Sequence, residues 1–184
     1  MKAKEICLAL GILALLSCAS LDTGRHYDEN SRCFVSRYPK FKVQIKDKSA
    51  KPVETNEKIA QTFAFKTNDG NIIIEILTLP HSNVDYYYPD EAIIKNVGGI
   101  PIGTELFNDK RWVKAVFFLE NDWNQTAYFK RKDKYLLGVS YNEYHPDQSS
   151  NVKKYKRTLE LTQDLKNQLN QQFSVANSKF EILE

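Results

Sequence analysis

The feature that most constrains this chain is a series of strand-like segments joined by connections of only two to four residues. Alternating apolar side chains, or runs of β-branched and aromatic residues, favour extended strands over 104–107, 111–120, 125–131 and 134–144. The connections between them contain Asn108-Asp109, Asn121-Asp122 and Lys132-Asp133. Because connections this short force neighbouring strands to run antiparallel, the sequence predicts a β-meander.

Further strands are expected on both sides of the meander. Phe41, Val43 and Ile45 alternate with polar residues, which predicts a strand with one wet face. The segments 62–67 and 72–79 flank Asp69-Gly70, a dipeptide typical of a tight hairpin turn. The tail 180–183 predicts a last short strand.

Two segments predict helices. The segment 89–97 has an acidic first turn and is closed by Gly98-Gly99. In the second, Leu165, Leu169 and Phe173 repeat at intervals of four behind a possible N-cap, Thr162. The preceding segment 152–161 fits an extension of that helix or a strand. The expected fold class is α+β, an antiparallel β-sheet meander flanked by a mid-chain helix and a C-terminal helix.

The N-terminus has the pattern of an export signal. A positive start is followed by an apolar run over 6–16 that is too short to span a bilayer. This run ends in Leu15-Leu16-Ser17-Cys18, which resembles the bacterial lipobox. The resemblance implies that Cys18 receives a diacylglyceryl group on its sulfur and becomes the first residue of the mature lipoprotein. A plain signal peptide with a coincidental cysteine and an uncleaved membrane anchor are the alternatives.

On this interpretation the chain has three parts. Residues 1–17 are a lipoprotein signal peptide, 18–32 are the lipidated cysteine and a polar, flexible tether, and 33–184 form a single globular α+β domain. Two or more acyl chains hold a protein stably at a membrane, whereas one binds only marginally. We therefore expect the protein in the bacterial cell envelope, lipid-anchored to the outer membrane.

Charge and cysteine content exclude some classes of function. The chain carries a net charge of +3, and removing residues 1–17 leaves 24 basic residues against 22 acidic ones. With no arginine-rich run, nucleic acid is not an expected partner. Cys33 would be the one thiol left in the domain, so no internal disulfide is expected. Its apolar neighbours Phe34 and Val35 favour a buried structural role.

No motif for catalysis is present. His26, His81 and His145 are isolated, so neither a metal site nor a cofactor is predicted. The carboxylates that could pair only if the fold brings them together are Glu75, Glu105, Glu120 and Glu143. We assign no catalytic residue and expect a non-enzymatic binding or accessory domain. The alternative is a lipid-tethered hydrolase whose site is assembled from scattered Glu, His and Tyr, with two carboxylates beside His81 or His145.

One aromatic run is a candidate for partner contact. Tyr86, Tyr87 and Tyr88 are consecutive, so on a strand they cannot all face inward. Tyrosines are favoured at binding surfaces because they are apolar yet tolerate water. They also brace sheets, and both interpretations stay open. An unidentified protein or envelope ligand is the expected partner.

The order of the elements resembles PsbP-like domains over residues 34–176. The resemblance is carried by "RYPKFKVQI" (37–45), "KYLLGVSYNEY" (134–144) and "LKNQLNQQFSV" (165–175). It implies an antiparallel sheet flanked by helices, in a protein that assists or binds rather than catalyses. It transfers no functional residue.

Overall fold

Two antiparallel sheets build the part of the chain that the computed structural model describes, which is residues 24–53, 62–79, 91, 94, 95, 98–119, 123–144, 163–172 and 176–183. The smaller sheet has the order β1-β2-β3-β11, formed by β1 (His26–Asp28), β2 (Cys33–Ser36), β3 (Phe41–Ile45) and β11 (Phe180–Ile182). The larger sheet has the order β4-β5-β6-β10-β9-β8-β7, formed by β4 (Lys51–Pro52), β5 (Thr62–Lys66), β6 (Gly70–Thr78), β7 (Ile100–Phe107), β8 (Lys110–Phe118), β9 (Trp123–Lys132) and β10 (Tyr135–Tyr144).

The meander and the hairpin predicted from the sequence are confirmed. Strands β7 to β10 pair in chain order, and β5 pairs with β6 across a turn at Asn68-Asp69, with Gly70 as the first residue of β6. Asn108 and Asp109 both adopt positive φ, 47° and 61°, as a two-residue turn matching the twist of its strands requires. Pairing of β10 with β6 then joins the meander to the hairpin.

The main core lies between the two sheets. Phe41, Val43 and Ile45 are buried while Lys42 is exposed, so the predicted alternation over this strand is confirmed. The Phe41 ring stacks on Trp112 of β8 at 5.8 Å between centroids. From the larger sheet, the core includes Ile72, Ile74, Ile76, Tyr128, Leu137, Val139 and Tyr141.

A helical turn packs on the opposite face of the larger sheet. Of the segment 89–97, the structure describes Glu91, Ile94 and Lys95, all helical, and buries Ile94 against a second cluster that includes Val113 and Ala127. The Gly98 N–H donates to Lys95 O (3.0 Å) and the Gly99 N–H to Ile94 O (2.9 Å). With Gly98 at φ +86°, this is the Schellman ending that the glycine pair predicts.

The fold class is corrected toward β. Apart from that helical turn, helix in the described residues is confined to α1 (Gln163–Gln172) and the single turn α2 (Ala176–Lys179). The structure is therefore mainly antiparallel sheet, and the α+β prediction holds only in part. Helix α1 confirms the C-terminal helix, and its Leu169 packs on Ile102 and Val116. None of the described helices is long and apolar enough to cross a membrane.

The described domain begins before Cys33. Residues 26–28, which we expected in the tether, form β1 and pair with β2. Their polar sequence gives no strand signal. Tyr27 nevertheless packs edge-on against Phe65 at 4.8 Å, so the segment is held by tertiary contact. Cys33 is buried, as predicted.

Candidate functional site

An ion triple joins both sheets at one end of the domain. The Lys179 Nζ lies 2.9 Å from the Asp47 carboxylate and 2.8 Å from each Asp69 oxygen. It also lies 4.9 Å from the centroid of the Tyr141 ring. The side chains of Lys179 and Asp47 are each 13% exposed, whereas that of Asp69 is 62% exposed.

Backbone pairing positions these three residues. Lys179 ends α2 immediately before β11, and its carbonyl accepts hydrogen bonds from the N–H groups of Lys46 and Asp47. Asp69 lies in the β5–β6 turn, where the Thr67 hydroxyl donates to it. The Ser49 hydroxyl and N–H both donate to Asp47.

These contacts fix the charges of the triple. Hydrogen bonds from Lys179, and then from Tyr141 and Thr67, lower the pKa of Asp69 to about 2. Burial opposes ionisation of Asp47, but hydrogen bonds from Ser49 and Lys179 outweigh it and hold the pKa below its usual value. Burial likewise opposes the charge on Lys179, yet the two carboxylates raise its pKa. All three groups stay charged near neutral pH, the opposite of what a general acid or base requires.

A second lysine is buried between the larger sheet and α1. The Lys114 Nζ donates to the Asn170 side-chain oxygen at 2.7 Å and to its main-chain carbonyl at 3.3 Å. A cation is favoured at that place because Asn170 lies in the last turn of the helix. Burial lowers the pKa of Lys114, an effect that the charge of Glu105 partly offsets. Burial, and then Glu105, raise the pKa of the adjacent Tyr128.

Of the four glutamates that could have formed a pair of carboxylates, the three that the structure describes do not come together. By strand register, Glu105 lies on the face of Trp112, whereas Glu75 lies opposite Gly138 on the other face. Burial raises the pKa of Glu75. Glu143, near the end of β10, lies several residues along the sheet from both. Within the described ranges, no group of three His, Cys, Asp or Glu side chains could hold a metal ion.

Other predicted residues lie outside the described part of the chain. These are Cys18, Tyr86, Tyr87, Tyr88, Glu120, His81 and His145. Sequence reasoning missed both lysines of the two clusters. Alternation along β8 carried a signal for Lys114, because it places that lysine on the face of Trp112 and Val116. No signal in the sequence pointed to Lys179.

The meander aromatics divide into core and surface. Trp112, Tyr128, Tyr135 and Tyr141 are buried. Trp123 and Tyr144 instead pair at the end of the sheet, with ring centroids 5.9 Å apart. Tyr144 is 52% exposed, and the nearby Leu119 is 38% exposed and donates its N–H to Trp123 O. We call Leu119, Trp123 and Tyr144 the aromatic cluster.

Comparison with known proteins gives similarity at the level of structure alone. No protein-family model and no curated protein matches the sequence. A crystal structure from Bacteroides thetaiotaomicron VPI-5482 is similar at a TM-score of 0.42 and 12% identity, over 83% of this chain and 48% of that one. The chain thus spans about half the length of that structure. The solution structure of cyanobacterial PsbP (CyanoP) from Synechocystis sp. PCC 6803 is similar at a TM-score of 0.34 and 12% identity, over 77% of this chain and 92% of that one.

The second neighbour is a PsbP, the family that residues 34–176 were expected to resemble. Both TM-scores lie below 0.5, so no ligand, partner or residue role is transferred from either structure to this chain.

Proposed function

We propose that this protein is a bacterial envelope lipoprotein, anchored through Cys18, whose domain binds a partner and does not catalyse a reaction. The observation that carries the binding role is the aromatic cluster. Exposed aromatic residues supply apolar contact area while tolerating water, and they are enriched at interfaces. Lys179, Asp47 and Asp69 all stay charged near neutral pH, which supports a structural role for the ion triple rather than a catalytic one.

The anchor is tested by labelling the full chain with a palmitate analogue in a bacterial host. Wild type should incorporate label and partition into the detergent phase. Cys18→Ala should do neither, whereas Cys33→Ala should keep the label because its thiol is buried in the domain. Label retained in Cys18→Ala would refute anchoring through this residue.

The binding role is tested by chemical cross-linking in intact envelopes. Replacing Tyr144 by Ser should remove a cross-linked species that wild type forms, because interface aromatics commonly carry 1 kcal/mol or more. Leu106→Ser is the matched control, since Leu106 is 68% exposed on β7, away from the aromatic cluster. Equal cross-linking in both variants would refute this surface as the partner contact. Tyr86, Tyr87 and Tyr88 remain proposed additional contacts.

A further inference from the structure

The end of the domain opposite the aromatic cluster is basic. It is formed by the β2–β3, β7–β8 and β9–β10 turns together with the chain entering β1. Its basic residues, which we call the basic tip, are Arg25, Arg37, Lys40, Lys110, Lys132 and Lys134. The acidic residues in these turns are Asp109 and Asp133. Arg111, next to the tip, pairs with Glu91 at 3.9 Å.

Contacts hold the tip together around two tyrosines. The Tyr38 and Tyr135 rings meet edge-on at 5.5 Å, and the Lys134 Nζ lies 5.5 Å from the Tyr135 centroid. The Lys132 Nζ donates to Lys40 O at 2.8 Å, which joins the β9–β10 turn to the smaller sheet. Tyr38 is 55% exposed, so an aromatic ring with a polar end stands among the cations.

The described chain enters the domain at this same tip. Gly24 packs so closely on Arg37 that a Cβ at Gly24 would lie 2.7 Å from the Arg37 Cδ. Arg25 follows beside Tyr135, and burial lowers the pKa of its guanidinium. A lipid on Cys18 is therefore joined to the domain at its basic end.

The covalent connection limits the distance from the lipid. Six residue steps separate Cys18 from Gly24, so their Cα atoms lie at most about 22 Å apart. Strands β9 and β10 have ten residues each and extend about 33 Å, which places the aromatic cluster at the far end. The tip is therefore the part of the domain that the anchor holds nearest the membrane.

We propose that the basic tip binds the anionic headgroups of the membrane in which Cys18 is anchored. Cations near an anionic surface are attracted to it, an effect that decays within a Debye length of about 8 Å at physiological salt. Tyrosine is enriched at membrane–water interfaces, so the exposed Tyr38 ring can contact the headgroup region beside the cations. This inference rests on the proposed anchoring, because the anchor brings the tip within reach of the headgroups.

The test uses the chain from residue 18 carrying Cys18→Ser, so that no acyl chain contributes. All described contacts of the domain lie within 24–183 and are retained. Binding to vesicles of phosphatidylcholine with 30% phosphatidylglycerol is compared with binding to phosphatidylcholine alone, by flotation. We expect binding only to the anionic vesicles and its loss in 0.5 M NaCl.

Charge variants then locate the surface. The first variant combines Arg37→Gln, Lys40→Gln and Lys134→Gln. Its binding to the anionic vesicles should be about 100-fold weaker, because each cation contributes about fivefold. The matched control combines Lys48→Gln, Lys51→Gln and Lys66→Gln, three exposed lysines near the opposite end, and should weaken binding less than threefold. Thermal unfolding of both variants verifies that they are folded.

The outcomes separate this inference from the proposed anchoring. Equal losses in the two variants, or binding that does not depend on phosphatidylglycerol, overturn the headgroup inference even when Cys18 is labelled in the full chain. Failure of Cys18 labelling overturns the anchoring itself, and with it the membrane as the physiological partner of the tip.

Discussion

Replacing Lys179 by Met should destabilise the domain, because it leaves two carboxylates without their shared cation. Met keeps the unbranched apolar stem and most of the length of the side chain, so the change removes mainly charge and hydrogen bonds. The backbone pairing of Lys179 O with Lys46 and Asp47 is unaffected. The variant therefore isolates the ion triple.

The magnitude follows from the exposure of each partner. Breaking a fully buried ion pair costs about 3–5 kcal/mol. Asp47 approaches that case at 13% exposure, but it keeps its hydrogen bonds from Ser49. For Asp69 the pKa near 2 corresponds nominally to about 2.4 kcal/mol, of which only the part due to Lys179 is lost, because the hydrogen bonds from Tyr141 and Thr67 remain. Its side chain is 62% exposed, so screening reduces this to about 1 kcal/mol or less. We expect a total loss of about 2–3 kcal/mol.

The loss should depend on pH in a defined direction. The pKa values of Asp47 and Asp69 are lowered in the folded state. Their contribution is therefore present above pH 4 and is lost as pH falls from about 4 to about 2. The raised pKa of Lys179 gives a contribution that is present below about pH 10 and is lost only above it. The difference between wild type and variant should thus be full at pH 7 and least near pH 2.

Urea unfolding followed by tryptophan fluorescence measures these differences, since Trp112 is fully buried and reports on the core. The thermal midpoint should fall by about 5–12 °C. Lys46→Met is the matched control, because its pair with Glu181 is 41% exposed on both sides and should contribute less than about 0.5 kcal/mol. A loss below 1 kcal/mol at pH 7, or an equal loss at pH 7 and pH 2.5, would refute the reasoning.

Three further substitutions test the packing of the larger sheet and the end of the helical turn beside it. Lys114→Met should raise stability by about 1 kcal/mol at pH 7, because burial disfavours the charged lysine and the exposed Asn170 can bond to water instead. This gain should shrink as the pH rises towards and above about 10.5, where the lysine loses its charge in the unfolded state as well. A loss of stability in urea unfolding at pH 7 would contradict the prediction. Gly70→Ala should cost more than about 3 kcal/mol, since its Cβ would lie 2.0 Å from Asn142 O. Gly98→Ala, which meets nothing within 4 Å but has φ +86°, should cost only about 1 kcal/mol, and similar losses in the two alanine variants would show that the clash is relieved.

Local turn chemistry explains which parts of the fold the sequence could predict. The turn at Asn108-Asp109 and the helix end at Gly98-Gly99 were found where predicted. The predicted hairpin was also found, but its turn is at Asn68-Asp69 and Gly70 begins β6. Strand β1 has no such signal, because its three residues are polar and are held through Tyr27 on Phe65. The pairing of β11 with β3 joins residues more than 130 positions apart, and no local pattern encodes it.

The candidate sites were harder to predict for the same reason. Asp47, Asp69 and Lys179 come from three separate segments, and only the pairing of β11 beside β3 brings Lys179 to Asp47. Lys114 differs, because successive side chains of a strand point to opposite faces of the sheet. This alone places Lys114 on the buried face of β8 that carries Trp112 and Val116. A lysine at an inward strand position is thus a usable sequence signal, whereas an ion triple assembled by non-local pairing is not.

Strand geometry links the two ends of the domain. The basic tip contains the β9–β10 turn, and the aromatic cluster contains Trp123 and Tyr144 at the other end of the same two strands. Because β9 and β10 pair along their whole length, the two ends cannot change their separation without breaking that ladder. If the lipid anchor and the basic tip fix one end of the domain at the membrane, the aromatic cluster is held about 33 Å further from the membrane surface. A partner would then be met beyond the headgroups, which is where a tethered binding domain can reach it.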